Sequence, residues 1–310
     1  MRLRYFAFLA AACSGTSGAP LKRDMAAPAD TRSSPSENRD AAFPDSGGAP
    51  LGRPYHVRVP LHYDAAQPTP LLVMLHGLTA SGDVEENFVL HLSSLADEKT
   101  FLYATPDGSR GPIGGFWNAT DACCDFWAIP VDDVAYISAV IDDIGAHYNL
   151  DRHRVYVIGH SNGGFMTHRL ACDLSGKISA VVSLAGANWK DPNQCMPSSA
   201  VSVLELHGDK DPLVDYNGGN IVGFTAPPFP SAHDTVATWA LRNGCTGPLA
   251  PTGARYDIDN GLAGTETRVE AYSGCRRPVE LWTIEGGGHV PGFTPEFRER
   301  IWDFLNAHAK

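Results

Sequence analysis

The chain lacks an excess of positive charge. Its 24 Lys and Arg stand against 35 Asp and Glu, a formal net charge of -11 over 310 residues. Nucleic-acid partners require clustered basic residues, so nucleic acid is not expected as a partner, and the acidic balance bears on solubility rather than fold. Metal-ligand spacing is missing too: no C-x-x-C or H-x-x-x-H grouping occurs among 7 Cys and 12 His, so no metal is expected. No internal repeat is apparent, and no separate carbohydrate- or polymer-binding segment is visible. The apolar run Tyr5 to Ala12 is far too short to cross a bilayer, which takes about 20 residues.

That run has another reading. In "MRLRYFAFLAAAC" two arginines precede the apolar residues and small residues follow, the layout of an export signal over residues 1–13. Small residues before Cys13 resemble the lipobox of bacterial lipoproteins, although Ala10 stands where Leu is usual and Leu9 is one position early. Cys13 is therefore a candidate lipid anchor, and the expected location is secreted or that of an outer-membrane or periplasmic lipoprotein. Residues 14–52 are rich in Ala, Pro, Ser, Gly and Asp without apolar periodicity, which predicts a flexible tether. Residues 53–310 are left to form one large catalytic domain.

Without Cys13 six cysteines remain, an even number that suits an oxidising compartment. The favoured pairs are Cys172 with Cys195 and Cys245 with Cys275, each flanking neighbouring elements. Cys123 and Cys124 are then left to each other. Adjacent Cα atoms lie about 3.8 Å apart, below the usual disulfide span of about 4.4–6.8 Å.

"PLLVMLHG" (70–77) and "FLYATP" (101–106) are continuous apolar runs, as buried parallel strands are. "RVYVIG", "ISAVVSLAG", "VSVLELHG", "RVEAY" and "VELWTI" read as further strands, and "YHVRVP" alternates like an edge strand. "DVAYISAVIDDIGAHY" has helical spacing with Asp132 or Asp133 to cap it; "TPEFRERIWDFLNAHA" is an amphipathic helix with Thr294 as N-cap and Pro295 following. Strands alternating with helices predict an α/β fold, a mostly parallel central sheet with helices on both faces. Ligands collect beyond the carboxyl ends of such strands. The loops "HGLTASG", "GHSNGG", "HGDKDPLVD" and "GGGHVPG" all fall there.

Gly159-His160-Ser161-Asn162-Gly163 lies between a strand and a helix, the setting of a G-x-S-x-G nucleophile elbow. A serine hydroxyl needs a base, and the base needs a carboxylate to fix its tautomer. His289 follows a strand through three glycines and is the expected base. Asp209, Asp211 and Asp215 leave the strand between; Asp211, fixed by the proline after it, is preferred and Asp209 is the fallback. The order Ser161, Asp211, His289 is that of an α/β-hydrolase. Backbone N–H groups of Asn162 and Leu78 are the expected oxyanion donors, with the His76 side chain bracing the loop. Trp117 and Trp127 bracket the Cys123–Cys124 pair and are candidates to line the cleft; packing is the alternative. Phe165 and Met166 read as core.

"PLLVMLHG", "WNATDACC", "VDDVAYI", "GHSNGGFMTHRLAC", "LHGDKDPLVDY" and "GGGHVPG" resemble the polyhydroxybutyrate depolymerase/feruloyl esterase-like family of secreted α/β-hydrolase esterases, over about Arg53 to Lys310. The resemblance implies a Ser-His-Asp carboxylesterase without cofactor, acting on a polyester or an ester-decorated polysaccharide, with Ser161, Asp211 and His289 as nucleophile, acid and base. A feruloyl or acetyl esterase of plant polysaccharide, a peptidase of the same fold and a non-catalytic binding module are the other readings. One departure bears on substrate. Where the family often has Gly-Gly-His-Thr-Trp-Pro-Gly, Val290 follows His289 directly and no Trp occurs. Oligomeric state is left open.

Overall fold

The computed structural model describes the backbone of Asp40–Ala42, residues 52 and 53, and residues 55–310. The export signal, Cys13 and most of the stretch read as a tether lie outside the described residues. Along the chain run β1 (Asp40–Ala42), β2 (Tyr55–Arg58), β3 (Thr69–Leu75), α1 (Gly82–Glu85), α2 (Ser93–Lys99), β4 (Leu102–Pro106), β5 (Ser109–Gly111) and β6 (Gly114–Phe116). Then come α3 (Asp133–His147), β7 (Leu150–His160), α4 (Asn162–Asp173), β8 (Ala180–Leu184), β9 (Ser202–Gly208) and α5 (Ala232–Asn243). β10 (Leu249–Tyr256), β11 (Thr267–Tyr272), β12 (Val279–Ile284) and α6 (Pro295–Asn306) complete it.

Ten strands form one sheet in the order β1-β2-β4-β3-β7-β8-β9-β12-β11-β10. From β4 to β12 neighbours are parallel, and an antiparallel pair flanks each side. Alternation sorts the central strands. Leu71, Val73, Leu75, Val157, Val181 and Val203 face one core with side chains of α3, α4 and α5; Leu72, Met74, Ile158, Val182 and Leu204 face the other with α2 and α6. Both faces are covered, which is why these strands read as unbroken apolar runs. This is the α/β-hydrolase architecture, with the mostly parallel sheet expected.

Two details differ from expectation, and one alternative is decided. β2 is not the edge, because Asp40–Ala42, inside the stretch read as a tether, pairs outside it; its backbone groups continue the ladder whatever the side chains are. Of the two expected candidates, Asp132 is the one that caps α3, accepting from Ala135 N at 2.9 Å. Thr294 stands at the N-cap of α6, yet its hydroxyl donates to Asp257 O at 2.6 Å instead of capping. The disulfides are Cys172–Cys195, Cys245–Cys275 and Cys123–Cys124, the last across a cis peptide with Cα atoms 3.0 Å apart.

Candidate active site

Ser161 caps the turn between β7 and α4 with φ 56 and ψ -120, a conformation a serine adopts only under constraint. The constraint comes from close backbone packing. A Cβ at Gly159 would lie 2.2 Å from Gly163 O, and one at Gly163 would lie 2.1 Å from Leu75 O. Both elbow glycines are therefore required by contact, not only by the turn. Ser161 N donates to Leu184 O at 2.8 Å, which holds the apex against the end of β8.

β9 and β12 are neighbours in register Gly208 to Ile284, so the loops after them emerge side by side. Lys210 N donates to Gly287 O at 2.9 Å, and Gly286 N to Asp209 Oδ1 at 2.7 Å. Asp209 thus ties the two loops together. Gly286 has φ +87 for the turn, and a Cβ at Gly208 would lie 2.3 Å from Gly287 O.

On this crossing His289 Nδ1 lies 2.6 Å from Asp211 Oδ2, and His289 Nε2 lies 2.9 Å from Ser161 Oγ. Asp211 also accepts from Leu213 N at 2.8 Å and Val214 N at 2.9 Å. Burial pushes the Asp211 pKa up, but hydrogen bonds from His207 and His289 outweigh it and hold the carboxyl well below the usual range. An ionised Asp211 fixes the proton on Nδ1 of His289 and leaves Nε2 free to accept from Ser161. Burial holds His289 below its ordinary value, with the neighbouring His160 acting in the same direction and Asp211 opposing. A neutral imidazole is what a base requires.

Two buried Glu–His pairs, unread in the sequence, flank these three residues. Glu205 is fully buried; its oxygens meet His168 Nε2 at 2.9 Å and His207 Nδ1 at 3.1 Å. His207 Nε2 lies 2.8 Å from Val214 O and 3.5 Å from Asp211 Oδ2. Burial opposes charge on His207, yet its hydrogen bonds to Asp211 and Glu205 push its pKa up to about 9. On the other side Glu85 meets His160 Nδ1 and Gly77 N, each at 2.9 Å. The signal for the first pair was present in "LELHG", where Glu205 and His207 break an apolar run on one face of β9. Nothing near Glu85 in sequence pointed to the second.

The loop after β3 is anchored on both sides of Leu78. Gly77 N donates to Glu85, Thr79 N to Gly115 O at 2.7 Å, and Gly108 N to His76 Nε2 at 2.8 Å. His76 accordingly braces this loop. Among the described residues the N–H groups of Leu78 and Asn162 have no protein acceptor. Asn162 is the first residue of α4, where a free donor is expected. Its side chain is committed elsewhere, pairing with Trp117 N at 2.7 Å and Trp117 O at 2.9 Å.

Trp117 is a correction. Its indole is 0% exposed, donates to His76 O at 3.0 Å and stacks on Tyr136, so it supports the loop from behind and does not line the cleft. Trp127 is half-buried among aromatic rings. It meets Phe116, Phe126 and Phe224 edge-on, and Phe126 stacks on Phe224 at 3.9 Å. Close to Asp211 and His289 in the chain, Leu213 and Val290 are 49% and 55% exposed. A cleft of about 620 Å³ beside Arg53, Arg110, Ile129 and Tyr136 does not include Ser161 or His289 in its walls. Among the described residues no three His, Cys, Asp or Glu side chains converge as metal ligands.

Comparison with known proteins agrees with this fold. Residues 70–206 match the family model described as the alpha/beta hydrolase fold. Feruloyl esterase B of Piromyces equi is 30% identical over 256 residues, 80% of this chain; the chain spans 44% of that relative's length. Feruloyl esterase D of Neurospora crassa is 25% identical over 272 residues, 82% of this chain and 81% of the relative. An acetyl xylan esterase from Aspergillus awamori superimposes with a TM-score of 0.63 at 15% identity, covering 86% of this chain and 98% of that structure, a likeness of fold. By sheet order and by the match over residues 70–206 the chain has the α/β-hydrolase fold, and its sequence is similar to those of feruloyl esterases.

Proposed function

We propose that residues 53–310 form a serine carboxylesterase that removes acyl groups ester-linked to plant polysaccharide. The observation that carries it is the aligned run Ser161 Oγ, His289 Nε2, His289 Nδ1, Asp211 Oδ2, with separations of 2.9 and 2.6 Å. Ser161 Oγ attacks the ester carbonyl while its proton passes to His289 Nε2. The resulting oxyanion accepts from the N–H groups of Leu78 and Asn162, and Asp211 stabilises the imidazolium. The alcohol leaves with the proton held on His289, giving an acyl-enzyme on Ser161. Water then attacks with His289 again as base and releases the acid.

The substrate class is supported by the relatives' names, feruloyl esterases B and D. The exposed Leu213 and Val290, close to Asp211 and His289 in the chain, suit a bulky acyl or alcohol group. An exported protein is consistent with the pairing of all six cysteines among the described residues.

The test compares product release from feruloylated arabinoxylan, acetylated xylan, polyhydroxybutyrate and p-nitrophenyl butyrate at equal enzyme concentration. Ester release from the two polysaccharides is expected, with a loss of about 10⁴-fold or more in Ser161→Ala. Faster release from polyhydroxybutyrate would move the assignment to a polyester depolymerase. Unchanged turnover by Ser161→Ala would reject the nucleophile.

A further inference from the structure

Position 160 sits between the two residues that define the elbow, at the last residue of β7. Any side chain compatible with a strand end would satisfy the fold there. Instead an imidazole, 4% exposed, is enclosed between two acceptors. His160 Nε2 lies 2.9 Å from the carbonyl oxygen of His289, and Nδ1 lies 2.9 Å from Glu85 Oε1. A carbonyl and a carboxylate can only accept, so both ring nitrogens carry hydrogen. The second oxygen of Glu85 accepts from Gly77 N at 2.9 Å, one residue before the Leu78 donor. One continuous set of hydrogen bonds therefore runs from the base loop, through the elbow, to the loop proposed to hold the oxyanion.

We propose that His160 is a positioning residue that, with Glu85, fixes the His289 loop and the Gly77–Leu78 loop in register on either side of Ser161. This rests on the esterase reading above. The two loops come from opposite sides of β7 in the sheet order, after β12 and β3, and among the described residues no backbone hydrogen bond joins them directly. The His160–Glu85 pair joins them. The titratable groups facing His160 are Glu85 from α1, Asp211, and His289, whose ring centroid is 5.0 Å away. A positive His160 so close also disfavours a second proton on His289.

His160→Gln and Glu85→Gln, each measured on p-nitrophenyl butyrate, test this. Glutamine at 85 has one acceptor for two donors, and it removes the counter-charge that keeps His160 protonated. Both variants are expected to lower kcat by about 10- to 100-fold, the loss typical of a misplaced catalytic group, with KM changed by less than about threefold. In both, the acid limb of the kcat/KM profile should move to higher pH, because His289 then binds a proton more readily. The double variant should cost little more than either single one, since both break the same linkage. A folded variant with kcat within about twofold of wild type, or with an unmoved acid limb, overturns the proposal. If His160→Gln does not fold, Glu85→Gln decides. Wild-type protein that hydrolyses no ester and takes no fluorophosphonate label on Ser161 would instead overturn the esterase reading itself.

Discussion

His207 shows how one buried side chain links the site to pH. It is 1% exposed and lies between the carboxylates of Glu205 and Asp211. Removing charges from water is costly, and a buried ion is retained only where partners compensate it. Here two carboxylates do so, and the proton is held up to about 9 instead of the ordinary 6.5. A pKa raised on folding contributes stability that is complete below 6.5 and is lost as pH rises through about 9. The contribution is on the order of 3 kcal/mol. Thermal melts between pH 7 and pH 10 should show Tm falling from the lower end of that range and levelling off above about pH 9. In His207→Gln the wild-type fall should be largely absent, from a lower starting Tm. A His207→Gln curve that falls as steeply as wild type would remove His207 as the cause.

At the scale of elements, the β7–elbow–α4 unit was legible because its glycines, its serine and its apolar flanks are contiguous. Its rigidity was not, since the atoms that Gly163 approaches belong to β3 and to His76, far away in sequence. Gly163→Ala should be severe: its Cβ would meet Leu75 O at 2.1 Å and His76 O at 2.8 Å, both backbone atoms that cannot turn aside. A loss above about 2 kcal/mol is expected, read by denaturant titration, with kcat falling as α4 is pushed away. Gly288, next to the base, is the contrast. Nothing lies within 4 Å of its Cβ position, so Gly288→Ala should change stability by less than about 0.5 kcal/mol. Equal losses at the two positions would show that loop flexibility, not packing, sets the glycine requirement.

The same division explains the rest of the fold. Parallel strands were readable because both faces are covered. β10 was not, because Pro251 and Gly253 interrupt it and a register shift between Pro251 and Arg255 breaks its alternation. The hairpin β5–β6 contains three glycines and reads as loop. α5 carried its own signals, Ser231 accepting from Asp234 N at 3.0 Å and Gly244 at φ 65, and was overlooked between more apolar neighbours. Ser161, Asp211 and His289 could be assigned to neighbouring loops because each follows the end of a strand within five residues. Trp117 could not be judged, since its burial depends on Asn162 and Tyr136 closing over it.

For the whole molecule, the two long-range disulfides divide the chain in a way that separates stability from the site. Cys172–Cys195 spans a separation of 23 residues and encloses β8; Cys245–Cys275 spans 30 and encloses β10 and β11. Ser161, Asp211 and His289 all lie outside both enclosed segments. In the chain-entropy view loops of this length contribute about 3–4 kcal/mol each by restricting the unfolded chain, a sizeable part of the roughly 5–15 kcal/mol that holds a domain folded. Replacing Cys172, Cys195, Cys245 and Cys275 by serine should therefore lower Tm by about 10 °C or more. At 25 °C the folded fraction should keep kcat within about twofold of wild type, because no hydrogen bond of the three residues runs through either bridge. Titrating the fluorophosphonate-reactive fraction in the same samples separates the two effects. A kcat per labelled site that falls together with Tm would mean that the bridges shape the crevice itself, and that the sheet alone does not hold β7, β9 and β12 in the alignment the site requires.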